Sequence, residues 1–293
     1  MAPLDLINLT ALMKRTSGRP EIKIGLIDGP VLPHHPDLSI EHVREISVRH
    51  GMACTQAKSV ACLHGTFVAG ILSAKRNSPA PAICPDCTLL VRPIFPEGTS
   101  GIERMPTTTP AELATAILDC LDAGVRVINL SLALAQPSRK GEQALEEALN
   151  QSAKRGVLVV AAAGNQGTLG SSTITRHPWV IPVVGCDFQG RPLNESNMSS
   201  SIGRHGLSAP GAGITSLGTE GRPLTLGGTS VAVPFVTGAI ALLWSEIPSM
   251  SAAQIKLALM QTPTRRRTSV VPPLMDAAAA DQFLWVNNVR RRA

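Results

Sequence analysis

Aromatic side chains are scarce in this chain of 293 residues, which has five Phe, three Trp and no Tyr. Proteins that bind single-stranded nucleic acid stack the bases on aromatic rings, so we do not expect a nucleic-acid partner. Charged residues make up 16% and hydrophobic residues 44% of the sequence, a balance typical of globular proteins. A chain of this length can bury a sizeable core in one large domain or two small ones.

The sequence also lacks a run that is long and apolar enough to predict a membrane-spanning helix. The most apolar helical candidate, residues 231–244, is too short for a bilayer and contains Pro234 and Gly238. The N-terminal stretch MAPLDLINLTALMKR has an early acidic residue and no apolar segment that ends in small residues, so no signal peptide is expected. We therefore expect no membrane partner and a cytoplasmic location.

Basic residues exceed acidic ones, 27 to 21, and six arginines are grouped at residues 265–267 and 290–292. Such clusters can bind an acidic peptide or nucleic acid. They can also form a solvated tail, and this is the interpretation that we favour. We predict an N-terminal helical extension over residues 1–19, a globular domain over 20–284 and a basic C-terminal tail over 285–293.

The six cysteines leave several interpretations open. Cys84 and Cys87 form a Cys-x-x-Cys pair, and Cys54 and Cys62 lie upstream. These four thiols are conceivable zinc ligands. Reduced thiols, or a disulfide if the protein is exported, are the interpretations we favour. We expect neither a metal nor a cofactor.

Strand-like and helix-like segments alternate along the chain. An amphipathic helix is predicted after Thr109, with Pro110 in the first turn and Gly124 beyond the end. Another helix is predicted over residues 143–155. Strands separated by such helices predict βαβ units, and continuously apolar strands predict a parallel sheet covered on both faces. The predicted fold class is α/β, with three layers: a mainly parallel central sheet and helices on both faces. The predicted strands are residues 22–27, 88–95, 125–132, 157–163 and 179–184.

Several polar residues stand where ligands bind in such folds, beyond the carboxyl ends of parallel strands. Asp28 follows the first strand, Ser131 ends a later one, and Asn165 follows VLVVAAAG. His64 precedes the apolar stretch FVAGIL, and Ser230 stands in GGTS at the head of the longest apolar helix. Taken singly, each residue is more typical of a turn, a helix cap or a structural hydrogen bond.

Taken together, these residues and their surroundings resemble the subtilisin-like serine proteases. LIDGPV, HGTFVAG, AAAGNQG, LSAPG and GGTSVAVPFVTGAIALL stand in the order of that family's signature blocks, and the resemblance covers about residues 20–284. The order Asp, His, Ser is also that of the subtilisin triad. The resemblance implies a subtilisin-like fold and a peptidase activity.

The resemblance assigns catalytic roles to four residues. Ser230 would be the nucleophile, and His64 would be the base that takes its proton. Asp28 would hold the imidazole in the useful tautomer, and Asn165 would donate its side-chain amide to the oxyanion. The apolar helix would anchor the nucleophile in the core and direct N–H groups towards the reacting carbonyl.

The resemblance also implies two substrate-binding segments. One pairs with the substrate backbone as an added strand, and the other borders the pocket for the residue before the cut. These residues are Ser131, Leu132 and Ala133 in the first segment and Ala162, Ala163 and Gly164 in the second. A peptide is therefore the expected partner, while the sequence does not indicate an oligomeric state.

Two positions near the first strand need comment, a departure from the family pattern and a match to it. Asp28 is followed by Gly29, where Ser or Thr is usual. Asp37, in HPDL, matches a position that binds calcium in some relatives. A calcium ion needs six or more oxygen ligands, and the sequence does not indicate the others, so we favour a capped turn at Asp37.

Within the family, KRTSGRPEIKIGLIDGPV, CLHGTFVAGIL and CPDCTLLVRPIF resemble the proteases that mature cyanobactin-type peptides, which cut a leader from a ribosomally made precursor. A sister activity in that group is macrocyclisation, and the enzymes associated with it carry an added helical lid between the Asp and His blocks. Only 35 residues separate Asp28 from His64, so hydrolysis is favoured.

The sequence is also compatible with a general degradative protease and with an inactive peptide-binding scaffold.

Overall fold

The computed structural model describes residues 2–46, 54–95, 108–132, 141–261 and 269–292, with side chains up to residue 287. Its centre is a seven-stranded sheet of order β2-β3-β1-β4-β5-β6-β7, in which every pair of neighbours is parallel. A separate antiparallel hairpin joins β8 to β9. The strands are β1 Lys23–Asp28, β2 Val43–Glu45, β3 Thr88–Pro93, β4 Val127–Leu130, β5 Leu158–Ala162, β6 Ile181–Cys186, β7 Leu207–Pro210, β8 Ile214–Ser216 and β9 Leu224–Leu226.

Helices cover both faces of the sheet, so the predicted α/β fold is confirmed. Successive side chains of a strand point to opposite faces. Accordingly, Leu26 of β1 belongs to the core with α3 and α8, while the next residue, Ile27, belongs to the core with α4 and α5. The helices are α1 Pro3–Leu6, α2 Thr10–Arg15, α3 Val60–Ser73, α4 Pro110–Asp122, α5 Glu142–Lys154, α6 Thr173–Arg176, α7 Ser200–His205, α8 Thr229–Glu246, α9 Ala252–Met260 and α10 Ala277–Arg292.

Helix α8 runs through the core beneath the sheet and packs against β4, β5, β6 and β7. It has 18 residues and is longer than the expected range 231–244. Its mean hydropathy is 1.3, so by length and composition alone it could cross a membrane. However, 89% of it is buried inside the protein. This burial is that of the central helix of a packed core.

The helix boundaries follow local sequence signals at α4 and depart from them at α3. The predicted start of α4 is confirmed, because Thr109 and Glu112 form reciprocal hydrogen bonds as a capping box and Pro110 occupies the first turn. Helix α3 begins at Val60 and so includes His64, which the sequence placed ahead of the helix. Its apolar side chains and its buried Gly65 and Thr66 show that tertiary packing sets this boundary.

The two chain ends are built into the fold. The predicted N-terminal extension forms α1 and α2, and its residues Ile7, Leu9 and Leu12 are at most 2% exposed in the main core. The predicted basic tail continues helix α10, which extends to Arg292. No proline or glycine interrupts residues 277–292, so nothing in the sequence ends the helix earlier.

One disulfide joins Cys54 to Cys62, and the four remaining cysteines are buried free thiols. Because two of the four candidate zinc ligands are bonded to each other, the zinc interpretation of this set is wrong. Within the described ranges, no group of three or more His, Cys, Asp or Glu residues could hold a metal ion. The disulfide closes a short loop that ends in the first turn of α3.

We predict that replacing Cys54 and Cys62 together by Ser lowers the free energy of unfolding by about 2–3 kcal/mol, since the closed loop no longer restricts the unfolded chain. Urea unfolding of the wild type with and without a dithiol reductant measures the same loss. The double variant is the control, because reductant should leave its midpoint unchanged. Equal midpoints for oxidised and reduced wild type would contradict this assignment.

Candidate active site

Three neighbouring strands end at the same edge of the sheet, next to polar residues that the sequence singled out. Asp28 is the last residue of β1, Ser131 directly follows β4, and Ala162 is the last residue of β5. These strands are adjacent in the order β1-β4-β5 and all run the same way. Their carboxyl ends therefore lie side by side, as the sequence predicted.

Two helices on one face of the sheet complete the cluster. Helix α3 carries His64, and the first turn of α8 carries Ser230. The His64 Nδ1 atom lies 2.7 Å from Asp28 Oδ1, and its Nε2 atom lies 3.0 Å from Ser230 Oγ. The three predicted residues thus form one continuous hydrogen-bonded chain from a fully buried carboxylate to a partly exposed hydroxyl.

The chemistry of the three groups fixes the direction of these hydrogen bonds. An ionised carboxylate only accepts, so Nδ1 of His64 must carry the proton that it donates to Asp28. In the neutral ring Nε2 then has a free lone pair, which accepts from the Ser230 hydroxyl. The arrangement can therefore withdraw a proton from Ser230 and leave the resulting imidazolium next to a negative charge.

Only one carboxylate oxygen of Asp28 accepts hydrogen bonds from the described residues. Its Oδ1 accepts from His64 and, at 2.6 Å, from the backbone N–H of Gly29. Its Oδ2 is buried and has no hydrogen-bond partner among the described residues. A carboxylate with few other donors interacts more strongly with the imidazolium that forms beside it.

Steric crowding explains why a glycine follows Asp28. A Cβ at Gly29 would overlap the carbonyl oxygen of Ala61 in the first turn of α3. Likewise, a Cβ at Gly65 would overlap the carbonyl oxygen of Gly29. The family's usual Ser or Thr therefore does not fit here, because α3 approaches the end of β1 too closely. Its hydroxyl is consequently absent as a donor to Asp28.

The pKa of His64 reflects two opposing influences. Burial lowers the pKa, since it disfavours the charged ring. The negative charge of Asp28 and the hydrogen bond to it raise the pKa, and together they prevail, so the pKa of His64 lies above the ordinary histidine value of 6.5.

Asn165 is oriented by the first residue of α8. Its Oδ1 accepts from both the backbone N–H and the hydroxyl of Thr229, each at 2.9 Å. The Thr229 hydroxyl in turn accepts from the backbone N–H of Gly164 at 3.2 Å. With Oδ1 used in this way, the Asn165 amide nitrogen remains free to donate elsewhere.

The amide of Asn165 also lies close to the N-terminus of α8. A Cβ at Gly228 would come within 2.9 Å of Asn165 Nδ2, and the φ of Gly228 is +117°. Both facts require glycine at this position. The Asn165 amide nitrogen thus lies beside the N-terminus of α8, and a side-chain donor at a helix N-terminus is a suitable arrangement for binding a developing negative charge.

A further asparagine holds the loop on which Asn165 lies. Asn197 Oδ1 accepts from the backbone N–H groups of Gln166 and Thr168, each at 3.1 Å, and the backbone N–H of Asn197 donates to the Gly164 carbonyl at 2.9 Å. A side chain thus replaces regular secondary structure in this loop.

The predicted substrate-binding residues differ in their surroundings. The side chains of Leu132, Ala162 and Ala163 are 3–6% exposed, and Gly164 takes a φ of +105°. The hydroxyl of Ser131 is 2.9 Å from the Ser230 carbonyl oxygen, to which it donates. Ala133 lies outside the described residues.

Asp37 lies in a turn. Its backbone N–H donates to His35 Nδ1 at 3.1 Å, and its carbonyl accepts from the Lys75 N–H at 2.8 Å. Both contacts are made by the Asp37 backbone, so the capping role that we favoured for its carboxylate stays a prediction.

Comparison with known proteins identifies the family. The sequence profile of the subtilase family, a family of S8 peptidases, matches residues 19–278. The chain belongs to the subtilase family. It is therefore a subtilisin-like serine endopeptidase by class.

Individual relatives show the same relationship. The chain is 32% identical to subtilisin DY of Bacillus licheniformis over 83% of its own length and 84% of that protein. It is 33% identical to a thermostable alkaline protease of Halalkalibacterium halodurans over 69% of its length, but spans only 52% of that longer protein.

Two solved structures resemble the chain over nearly its whole length. The protease domain of PatA shares 30% identity with a TM-score of 0.80, covering 92% of this chain and 97% of that one. The maturation protease PagA shares 27% identity with a TM-score of 0.77, covering 94% and 98% respectively.

Two further side chains support Ser131: Asn129 Nδ2 donates to its hydroxyl at 2.8 Å, and Thr237 Oγ1 donates to Asn129 Oδ1 at 2.9 Å. Four supporting residues of the site were thus not predicted from the sequence, namely Thr229, Asn197, Asn129 and Thr237. Two of them carried a signal that could have found them. Asn129 interrupts an apolar strand and Thr237 an apolar helix, and a buried polar residue needs a hydrogen-bond partner. Asn197 lies in a loop rich in polar residues, so nothing in the sequence distinguished it.

We predict that kcat/KM falls on the acid side with a midpoint above pH 6.5. Only neutral His64 can accept the Ser230 proton, and Asp28 raises its pKa, so activity is full at higher pH and is lost as the pH falls through that raised pKa. Asp28→Asn should lower the midpoint and reduce turnover by about 10⁴-fold. The pH profile of peptide cleavage measures both effects, and a wild-type midpoint at or below 6.5 would contradict the account.

We predict that Asn165→Asp lowers kcat by roughly 100- to 1,000-fold, the range known for the loss of one such donor in a subtilisin. The substitution keeps the oxygen that Thr229 holds and replaces the amide donor by an acceptor. Steady-state kinetics on a peptide substrate tests this prediction. Asn287→Asp makes the same chemical change on α10 and serves as the control, so equal losses in both variants would argue against the role of Asn165.

Proposed function

We propose that this protein is a peptide-maturation protease that cleaves a leader from a ribosomally made precursor peptide. Peptide-bond hydrolysis is carried out by Asp28, His64 and Ser230. The hydrogen-bonded chain that joins these three residues is the observation that carries the hydrolytic part of the proposal.

The reaction follows from the direction of the hydrogen bonds. Ser230 Oγ attacks the substrate carbonyl carbon while its proton passes to His64 Nε2. The Asn165 amide stabilises the oxyanion that develops. His64 then gives the proton to the leaving amine as the C–N bond breaks, which leaves an ester on Ser230. Water, activated by the same imidazole, hydrolyses that ester and regenerates the hydroxyl.

The contacts favour an active enzyme over a peptide-binding scaffold. A scaffold has no need for a buried carboxylate, since burying a charge is costly unless it is paired. Here Asp28 is fully buried, and its hydrogen bonds with His64 and with the Gly29 N–H are the interactions that offset this cost. The raised pKa of His64 supports the same interpretation, because perturbed pKa values are typical of catalytic groups.

The narrower role, precursor maturation, is supported by similarity. PatA is a patellamide maturation protease and PagA a prenylagaramide maturation protease, and their structures superpose on 92% and 94% of this chain. A general degradative activity remains the second candidate, because subtilisin DY is equally similar in sequence.

Hydrolysis is proposed in preference to macrocyclisation. The described part of the segment between Asp28 and His64 contains the short strand β2, and no helix precedes α3 there. A helical lid that could exclude water from the acyl-enzyme is thus not seen in residues 29–46 and 54–59. The similarity to the PatG macrocyclase, at 22% identity, concerns the fold alone.

The cytoplasmic location stays a prediction, and one observation weighs against it. Disulfides persist in oxidising compartments and are rare in the cytosol. The Cys54–Cys62 bond therefore favours an exported or otherwise oxidising location over the cytoplasmic one.

The decisive experiment is cleavage of a mixed peptide library by wild type and Ser230→Ala, with the products identified by mass spectrometry. We expect cutting at one narrow motif, with no cutting by the variant. Hydrolysis adds one water to the summed mass of the products, whereas a cyclic product lacks that water.

Each competing function has its own result. Broad cutting by the wild type would favour the degradative enzyme, and cyclic products would favour macrocyclisation. Cutting that persists in Ser230→Ala would show that another group is the nucleophile. A wild type that neither cleaves any peptide nor reacts with a fluorophosphonate would restore the scaffold interpretation.

A further inference from the structure

Helix α8 contains a proline where the helix needs a backbone donor. Pro234 has no N–H, so the carbonyl four residues earlier, that of Ser230, loses its partner within the helix. The nucleophile thus lies in a residue whose own carbonyl must be satisfied from outside α8. The Ser131 hydroxyl supplies this hydrogen bond at 2.9 Å.

The Ser131 hydroxyl is itself held by two further side chains. Asn129 Nδ2 donates to Ser131 Oγ at 2.8 Å, and Thr237 Oγ1 donates to Asn129 Oδ1 at 2.9 Å. Asn129 and Thr237 are fully buried and Ser131 is 2% exposed. We call these three residues the hydroxyl–amide relay.

Each hydrogen bond in the relay has only one possible direction. A hydroxyl has a single proton, and Ser131 can give it only to the Ser230 carbonyl, which cannot donate. Ser131 must then accept from the Asn129 amide, whose oxygen accepts from Thr237. The relay therefore begins and ends on α8, at Thr237 and Ser230, and passes through β4 and the residue that follows it.

This closed path ties the nucleophile to the sheet. Rotation or sliding of α8 relative to β4 would break a buried hydrogen bond, and an unpaired buried polar group is costly. The Ser230 hydroxyl must stay at hydrogen-bond distance from His64, now 3.0 Å, and a misplacement of about 1 Å can cost about 100-fold in rate.

We infer that Ser131, Asn129 and Thr237 are positioning residues that hold Ser230 in register with His64, and that the Ser131 hydroxyl acts through the Ser230 carbonyl. This inference rests on the proposed role of Ser230 as nucleophile. It changes the expectation for Ser131, whose side chain serves α8. The peptide backbone of that segment stays available to pair with substrate.

The test uses Ser131→Ala and Thr237→Val, with Thr237→Ser as the matched control that keeps the hydroxyl. We expect the first two to lower kcat by about 10- to 100-fold, with KM for a peptide within about twofold of the wild type. The rate of Ser230 modification by a small fluorophosphonate should fall with kcat, because that reagent does not use the peptide-binding strand. Thr237→Ser should stay close to wild-type values.

Coupling between the two positions gives a second readout. The double variant Ser131→Ala/Thr237→Val should lose about as much kcat as Ser131→Ala alone, because both substitutions interrupt the same hydroxyl–amide relay. Additive losses would contradict the relay. Rates are normalised to the fraction of protein that a fluorophosphonate labels at completion, so partial unfolding does not imitate the effect.

The remaining outcomes are equally distinct. A higher KM with unchanged kcat in Ser131→Ala would show that the hydroxyl binds substrate, and unchanged kinetics with a lower Tm would show a purely structural role. Both results overturn the relay and leave the proposed function intact. A wild type that shows no peptide cleavage and no fluorophosphonate reaction overturns the proposed function, and the relay with it.

Discussion

The burial of helix α8 is the constraint on which the rest of the site depends. Almost all of its side chains are buried, and it packs against four neighbouring strands. A close-packed helix of this kind cannot slide or rotate without opening cavities, so its first turn is held in one place. That turn carries Ser230 and, through Thr229, also orients Asn165. The proposed nucleophile and the proposed amide donor are therefore positioned by the same element.

The electrostatic part of the site is set by close contact between α3 and β1. The approach of Ala61 excludes any side chain at Gly29, and it brings His64 within hydrogen-bond distance of Asp28. Asp28 consequently directs one oxygen at the imidazole while its other oxygen is left without a partner in the described structure. The unpaired oxygen has a cost in stability. The same arrangement leaves most of the carboxylate's charge available to the imidazolium that would form in the proposed mechanism.

Much of this could be predicted from the sequence, for identifiable reasons. Asp28, Ser131 and Asn165 follow apolar runs, so a parallel sheet must bring them to one edge, and the start of α4 follows from the capping box at Thr109. Contacts between distant segments could not be predicted in this way. The Cys54–Cys62 pairing was one of several that six cysteines allow, and the early start of α3 depends on packing against Gly29. The direction of the Ser131 hydroxyl depends on Pro234, more than a hundred residues away along the chain.

The central claim is that Ser230 becomes covalently acylated because His64 and Asp28 activate it. Acid quenching during the first turnover of an activated ester substrate, followed by mass spectrometry of peptic fragments, tests this claim directly. The account predicts an acyl group on Ser230 that approaches one per molecule before steady state, and that is absent in His64→Ala. Turnover without a covalent adduct, or an adduct on another residue, would contradict it.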